Sequence, residues 1–161
     1  VNRKRNQQLK IFGSILILTI VLVGVVLFQS ASPMRKAKSQ AVKISKNVAG
    51  ISDVQDFYWF TRDKTYFTVV GTDNKNVEKI VFLPQDGSEA VIMNQKDGIT
   101  NDEAIKKVLD MKKTKRINKV SLGIYKEKPV WEVVADSIES GLDYYLIDFK
   151  SGELVNEINQ V

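Results

Sequence analysis

Apolar and polar positions divide this chain into stretches of three kinds. Residues 11–28, IFGSILILTIVLVGVVLF, carry no charge, and only Gly13, Ser14, Thr19 and Gly24 interrupt the large apolar side chains. At 1.5 Å per residue such a run makes a helix about 27 Å long, close to the hydrocarbon thickness of a bilayer, and it predicts one membrane span. A buried helix of a soluble domain would keep a polar stripe, and this run has none. After a short spacer, 29–33, small or apolar residues recur three and four apart at Met34, Ala37, Ala41, Ile44 and Val48. That spacing predicts an amphipathic helix whose apolar face packs on a sheet or lies on the membrane surface.

The third kind of stretch is β-like. VQDFYWF (54–60), TYFTVV (65–70), VEKIVFL (77–83) and EAVIM (89–93) are separated by TRDK, GTDNKN and PQDGS, each rich in turn formers. Connections that short join antiparallel neighbours, so a meander is predicted. A second helix opens in GITNDEAIKKVLDM, where Thr100 and Glu103 have capping-box spacing, Ile99 and Ala104 occupy staple positions, and Ile105, Val108 and Leu109 form one apolar face. INKVSLGIY (117–125), PVWEVVA (129–135), LDYYLIDF (142–149) and GELVNEI (152–158) then predict four more strands.

The two halves repeat one another. YFTVVGTD (66–73) aligns with VWEVVADS (130–137) at a displacement of 64, and IVFLPQDGSEAV (80–91) aligns with YLIDFKSGELVN (145–156) at 65. The slip is expected in the loop between them, where an insertion costs little. At the displacement of 64, Ile105 and Val108 meet Ala41 and Ile44, which favours packing of the first helix on its own sheet over contact with lipid. The pattern predicts an α+β fold of two units of about 60 residues, each one helix with a three- to four-stranded antiparallel sheet, at 34–94 and 98–161. A unit of that size alone buries too little apolar surface to be more than marginally stable, so the two are expected to pack into one body.

The repeat also bears on DFKSGEL, where Asp148 and Glu153 could be read as reactive carboxylates. Asp148 falls opposite the apolar Leu83, and the glycine is what the two copies share, so a turn is the better reading.

Charge is divided unevenly along the chain. Of 24 Lys and Arg and 19 Asp and Glu, residues 1–46 hold nine basic residues and no acid; the remainder holds fifteen against nineteen, a net of −4. The basic balance therefore belongs to the membrane-proximal part, which suits anionic headgroups and argues against nucleic-acid binding. Arg3, Lys4, Arg5 and Lys10 favour a cytoplasmic tail at 1–10 and an external C-terminal domain. A cleaved signal peptide is the alternative, with QSAS (29–32) as its small-residue site, although the apolar run is long for one. With no cysteine, a lipid-modified cysteine is excluded as the anchor.

Cysteine and histidine are both absent, which removes Cys/His zinc sites, thiolate nucleophiles and Ser-His-Asp triads. Asp97, Asp102, Glu103, Asp136, Glu139 and Asp143 could serve acid/base chemistry by type, but helix-start and turn roles account for them. DSIESGLD (136–143) does not match a calcium-binding loop, and no serine has the setting of a Ser-Lys nucleophile. No metal, cofactor or small-molecule substrate is expected. KKTKRINK (112–119) sets Lys112, Lys113, Lys115 and Arg116 at the end of the second helix, where they stabilise it or face an acidic partner. In DFYWF, strand alternation places Phe57 and Trp59 on one face and Tyr58 and Phe60 on the other. The second pair is either covered by the other repeat or left as a docking surface.

Residues 99–158, with the acidic helix start ITNDEAIKKVL, the strand VWEVVADS and the ending YYLIDFKSGELV, resemble a PepSY-type domain. The whole layout resembles the YpmB/TseB-like family of Gram-positive membrane proteins, with its basic tail, single span, linker helix, YFTVVGTDNK and a PepSY-like half. That resemblance implies two cystatin-like external units and a role in cell-wall elongation through contact with a penicillin-binding transpeptidase, with no catalytic motif. The PepSY likeness also implies an alternative, inhibition of a secreted or membrane protease.

Overall fold

Strand periodicity and turn chemistry build two sheets of the same design. A computed structural model describes residues 33–159. The predicted tail, span and most of the spacer (1–32) lie outside them, and among the described residues no helix is long and apolar enough to cross a membrane. Helix α1 is described over 33–49. It is followed by β1 (Ile51–Thr61), β2 (Thr65–Asp73), β3 (Glu78–Pro84) and β4 (Val91–Asn94), then a 3₁₀ turn, α2 (Asn101–Asp110), β5 (Thr114–Tyr125), β6 (Lys128–Ser137), β7 (Leu142–Asp148) and β8 (Leu154–Ile158). Each set of four strands is an antiparallel meander, in the orders β1-β2-β3-β4 and β5-β6-β7-β8. The residues from Gln40 onward belong to one compact unit.

Register shows the duplication in detail. The β1–β2 ladder slips between Ile51 and Asp53 and again between Val54 and Asp56. The β5–β6 ladder slips between Thr114 and Arg116 and between Ile117 and Lys119, the same two bulges 63 residues on. Trp131 pairs with Ile147 as Phe67 pairs with Leu83, and Val130 pairs with Asp148 as Tyr66 pairs with Pro84, so the displacement is 64 through the third strand of each sheet. The expected slip between the second and third strands is therefore absent. Its extra residue lies in the turn after β7, and Asp148 corresponds to Pro84, not Leu83.

The same one-residue offset misplaced the helix faces. Ala41 and Ser45 of α1 are buried, as are Ala104 and Val108 of α2, again 63 residues apart. Ile44, Val48 and Leu109, each expected to face inward, are 45%, 46% and 46% exposed. Small side chains at Ala41, Ser45, Ala49 and Ala104 let each helix lie close to its sheet, which rotates the larger neighbours outward. The Ser45 hydroxyl is enclosed on this face without a hydrogen-bond partner.

The first sheet is covered on both faces. Ile51, Val69, Val81 and Leu83 pack with Ala41 and Ala49 of α1. From its other face Phe60, Tyr66, Val70, Ile80 and Phe82 join Leu122, Trp131, Val133, Tyr145 and Phe149 of the second repeat in one core. Burial on both sides is why β2 and β3 read as nearly continuous apolar runs. The Phe60 ring sits against Gly123, where any Cβ would collide with it. Thr68 Oγ1 donates to the Leu122 carbonyl at 2.7 Å, Asp63 accepts from the Lys126 amide, and Arg62 pairs with Glu132 while lying 4.7 Å from the centre of the Tyr144 ring.

Two outcomes follow for urea unfolding of the full chain. Phe60→Ala should cost about 3–5 kcal/mol and Gly123→Ala roughly 1–3 kcal/mol, each lowering one cooperative transition that includes both repeats. Ser45→Ala should raise stability by about 1 kcal/mol, because it removes a buried hydroxyl with no partner and favours the helix.

Candidate functional site

The residues singled out as a partner surface do not form one patch. Phe60 is fully buried in the core between the repeats, so it is withdrawn from that surface; the Tyr58 and Phe60 face of DFYWF packs against the second repeat. Alternation along β1 is as expected, with Phe57 and Trp59 both turned to Phe67, ring centres at 6.3 and 5.1 Å. Tyr58 is half-buried, edge-on to Trp131 at 5.6 Å. Its hydroxyl accepts from Asn101 Nδ2 at 3.4 Å, and burial with the Asp56 carboxylate beside it pushes that hydroxyl up to about 12.

Tyr58 forms one wall of a cleft of about 280 Å³ between the repeats, lined also by Asp56, Glu78, Asn101, Asp102 and Trp131. Asn101 Oδ1 is enclosed there without a donor. The cleft opens at the start of α2, whose end is already capped: Thr100 Oγ1 accepts from the Glu103 amide at 3.3 Å, and Thr100 N donates to the Glu103 carboxylate at 2.8 Å. These are the two reciprocal bonds predicted from the spacing. Three carboxylates give the cleft negative potential.

The basic residues lie at the opposite end of α2, a ten-residue helix and so about 15 Å long. Lys112 follows the helix with φ 55°, Lys113 reaches Glu157 at 3.2 Å, and Arg116 reaches Asp136 at 3.0 Å. From Thr114 onward the run belongs to β5, so most of its charge lies on a strand instead of at a helix end. Lys112, Lys115 and Lys119 are exposed. Beside Lys113 a cavity of about 210 Å³ is lined by Ser137, Glu139, Asp143 and Glu157. Asp143 is buried there at 3.3 Å from the Tyr145 hydroxyl, which burial and the Asp143 charge push up to about 12.

The carboxylates with displaced pKa values are held down by bonds that shape the backbone or a ladder. In Asp73, Lys79 and the amides of Val77 and Lys75 lower the pKa to about 2. Ser88 lowers that of Asp86, the Thr100 backbone that of Glu103, and Asn118 ahead of Arg116 that of Asp136. In DFKSGEL the Asp148 carboxylate accepts from the amides of Lys150 and Ser151 at 2.9 and 2.8 Å. Gly152, at φ 68°, returns its amide to the Asp148 carbonyl. This is the hairpin turn anticipated, with Asp148 as its clasp. Among the described residues no three His, Cys, Asp or Glu side chains are placed to hold a metal ion.

Comparisons with known proteins agree with this architecture. Residues 40–84, from α1 through β3, match the family model described as the cell wall elongation regulator TseB-like domain. The chain is 26% identical over 150 residues to the probable cell wall elongation regulator TseB of Bacillus subtilis (strain 168), covering 92% of each. Among solved structures, the YpmB protein from Bacillus subtilis matches with a TM-score of 0.68 and 24% identity, over 75% of this chain and 95% of that one, and shows a common fold.

The Asp73 clasp can be tested by titration. An unfolded carboxyl titrates near 3.8 and the folded one near 2, so on acidification the unfolded chain takes up its proton first. Asp73 therefore contributes fully above about pH 5, and its contribution fades as the pH falls toward about 2. The stability gap between the natural chain and Asp73→Asn, read by urea unfolding, should narrow across that window. A gap independent of pH would contradict the clasp.

Proposed function

We propose that this chain, which belongs to the YpmB/TseB-like family, is a membrane-anchored regulator of cell wall elongation that acts by protein contact and performs no reaction of its own. The observation that carries this reading is the similarity along 92% of both chains to a protein named as a probable regulator of that process. In this reading residues 11–28 span the membrane, 1–10 stay in the cytoplasm, and the two cystatin-like units stand outside it. The apolar run and the basic tail support that topology.

The partner in this proposal is a penicillin-binding transpeptidase of the elongation machinery. Anchoring confines both proteins to one thin layer, which raises their effective concentration for one another, so a modest interface suffices. The exposed Lys112, Lys115 and Lys119 beyond α2 suit an acidic partner surface. The shared core supports contact by a body of fixed shape, since the junction between repeats is buried. The downward displacement of the perturbed carboxylates supports a structural use of them, as a general acid near neutral pH needs a raised pKa.

Photo-crosslinking in cells from position 112 or 115 of the full chain, with fluorescent penicillin marking transpeptidases, tests this. An adduct carrying the penicillin label is the expected result. Adducts with a secreted or membrane protease would favour the inhibitor reading, and labelled adducts missing from both positions would contradict the proposed contact.

A further inference from the structure

Helix α1 has a second working face. Its inner side, Ala41, Ser45 and Ala49, is buried on the first sheet, yet Ile44 and Val48 remain about half exposed one step around the helix. At 100° per residue those two side chains lie about 40° apart on a continuous stripe, with Lys43 about 100° from Ile44 on the side away from the sheet. Lys43 is exposed, as is Lys36 seven residues earlier in the same helix. An apolar stripe edged by long cationic side chains suits the headgroup layer of a membrane: the stripe enters the acyl boundary and the ammonium groups stay with phosphates.

The chain's own layout brings a bilayer within reach of this helix. The apolar run ends at Phe28, and α1 is already helical at residue 33, where the described residues start. The five steps from residue 28 to residue 33 reach at most about 17 Å when fully extended, so residue 33 cannot leave the vicinity of the bilayer. Charge points the same way, because residues 33–49 hold five basic residues and no acid, while residues 50–161 carry a net of −4. Anionic headgroups therefore attract this helix and repel the remainder.

We propose that the outward face of α1, Ile44 and Val48 with Lys36 and Lys43 along its outer edge, rests in the headgroup layer of an anionic bilayer. This rests on residues 11–28 being a span. The small residues Ala41, Ser45 and Ala49 are what make both contacts possible, since they occupy the sheet and free the larger side chains for lipid.

The chain lacks cysteine, so single labels can be placed without background. Nitroxides at Ile44→Cys, Val48→Cys and, as a distant control, Lys150→Cys would be compared in the full chain. Each is reconstituted in vesicles of phosphatidylglycerol with phosphatidylcholine and in phosphatidylcholine alone. In the anionic vesicles, labels at 44 and 48 should lose at least about threefold in collision rate with an aqueous nickel chelate and gain access to oxygen, while the label at 150 stays in water. Adding Lys36→Glu and Lys43→Glu should reverse the shift. Labels at 44 and 48 as water-exposed as the control, in chain that resists alkaline carbonate extraction, would overturn this inference alone. Extraction of the chain by carbonate would sink the span and the inference together. Spin–spin broadening between labels at 44, relieved by unlabelled chain, would instead assign the stripe to a second copy.

Discussion

A phenylalanine ring lying on a strand where no side chain stands is the contact on which the architecture depends. Phe60 projects from the end of β1 and Gly123 offers bare backbone on β5, so two edge strands from different sheets come close enough to share a core. Around that contact the polar groups fall into place. Thr68 satisfies a carbonyl of β5, and Arg62 partners the buried Glu132 while its guanidinium covers Tyr144. Each of these groups would be costly to bury unpartnered, so the two repeats fit together in one way.

Duplication explains both what the repeats share and where they part. Two bulges recur 63 residues apart, each helix approaches its sheet through small side chains, and each third strand ends in a turn clasped by a carboxylate. They differ at the helix faces. Val108 fills the position that the unpartnered Ser45 holds in the first repeat. The first sheet also buries its far face against the second repeat.

Much of this was legible in the residues. Every strand was identified, with bounds shifted by a few positions, because β-prone runs between turn formers leave few alternatives. Capping-box spacing located the start of α2, and the Gly152 turn was correctly separated from a reactive site. What escaped was rotation about a helix axis. Alignment by apolar character joins Ile105 and Val108 to Ala41 and Ile44, whereas packing joins Ala104 and Val108 to Ala41 and Ser45. Close approach rewards small size, and hydrophobicity does not report it. Of the candidate surface, Tyr58 and the lysines keep solvent-facing atoms at opposite ends of α2, while Phe60 does not; which side of a two-sided strand is covered depends on a second sheet that local pattern cannot place. The acidic cleft was missed for the same reason, as Asp56, Glu78 and Asp102 are far apart in sequence and meet only where the repeats join.

A regulator acting by contact needs a surface of constant shape, and the shared core supplies one. Native-state hydrogen exchange of the full chain measures this most directly, by comparing amides of Val69 and Val81 in the first sheet with those of Val133 and Tyr145 in the second. The account predicts that all four exchange only through one global opening, with equal free energies and equal sensitivity to denaturant. Exchange of the first pair through a lower-energy opening that leaves the second pair protected would contradict it, because the repeats would then be two bodies in loose contact.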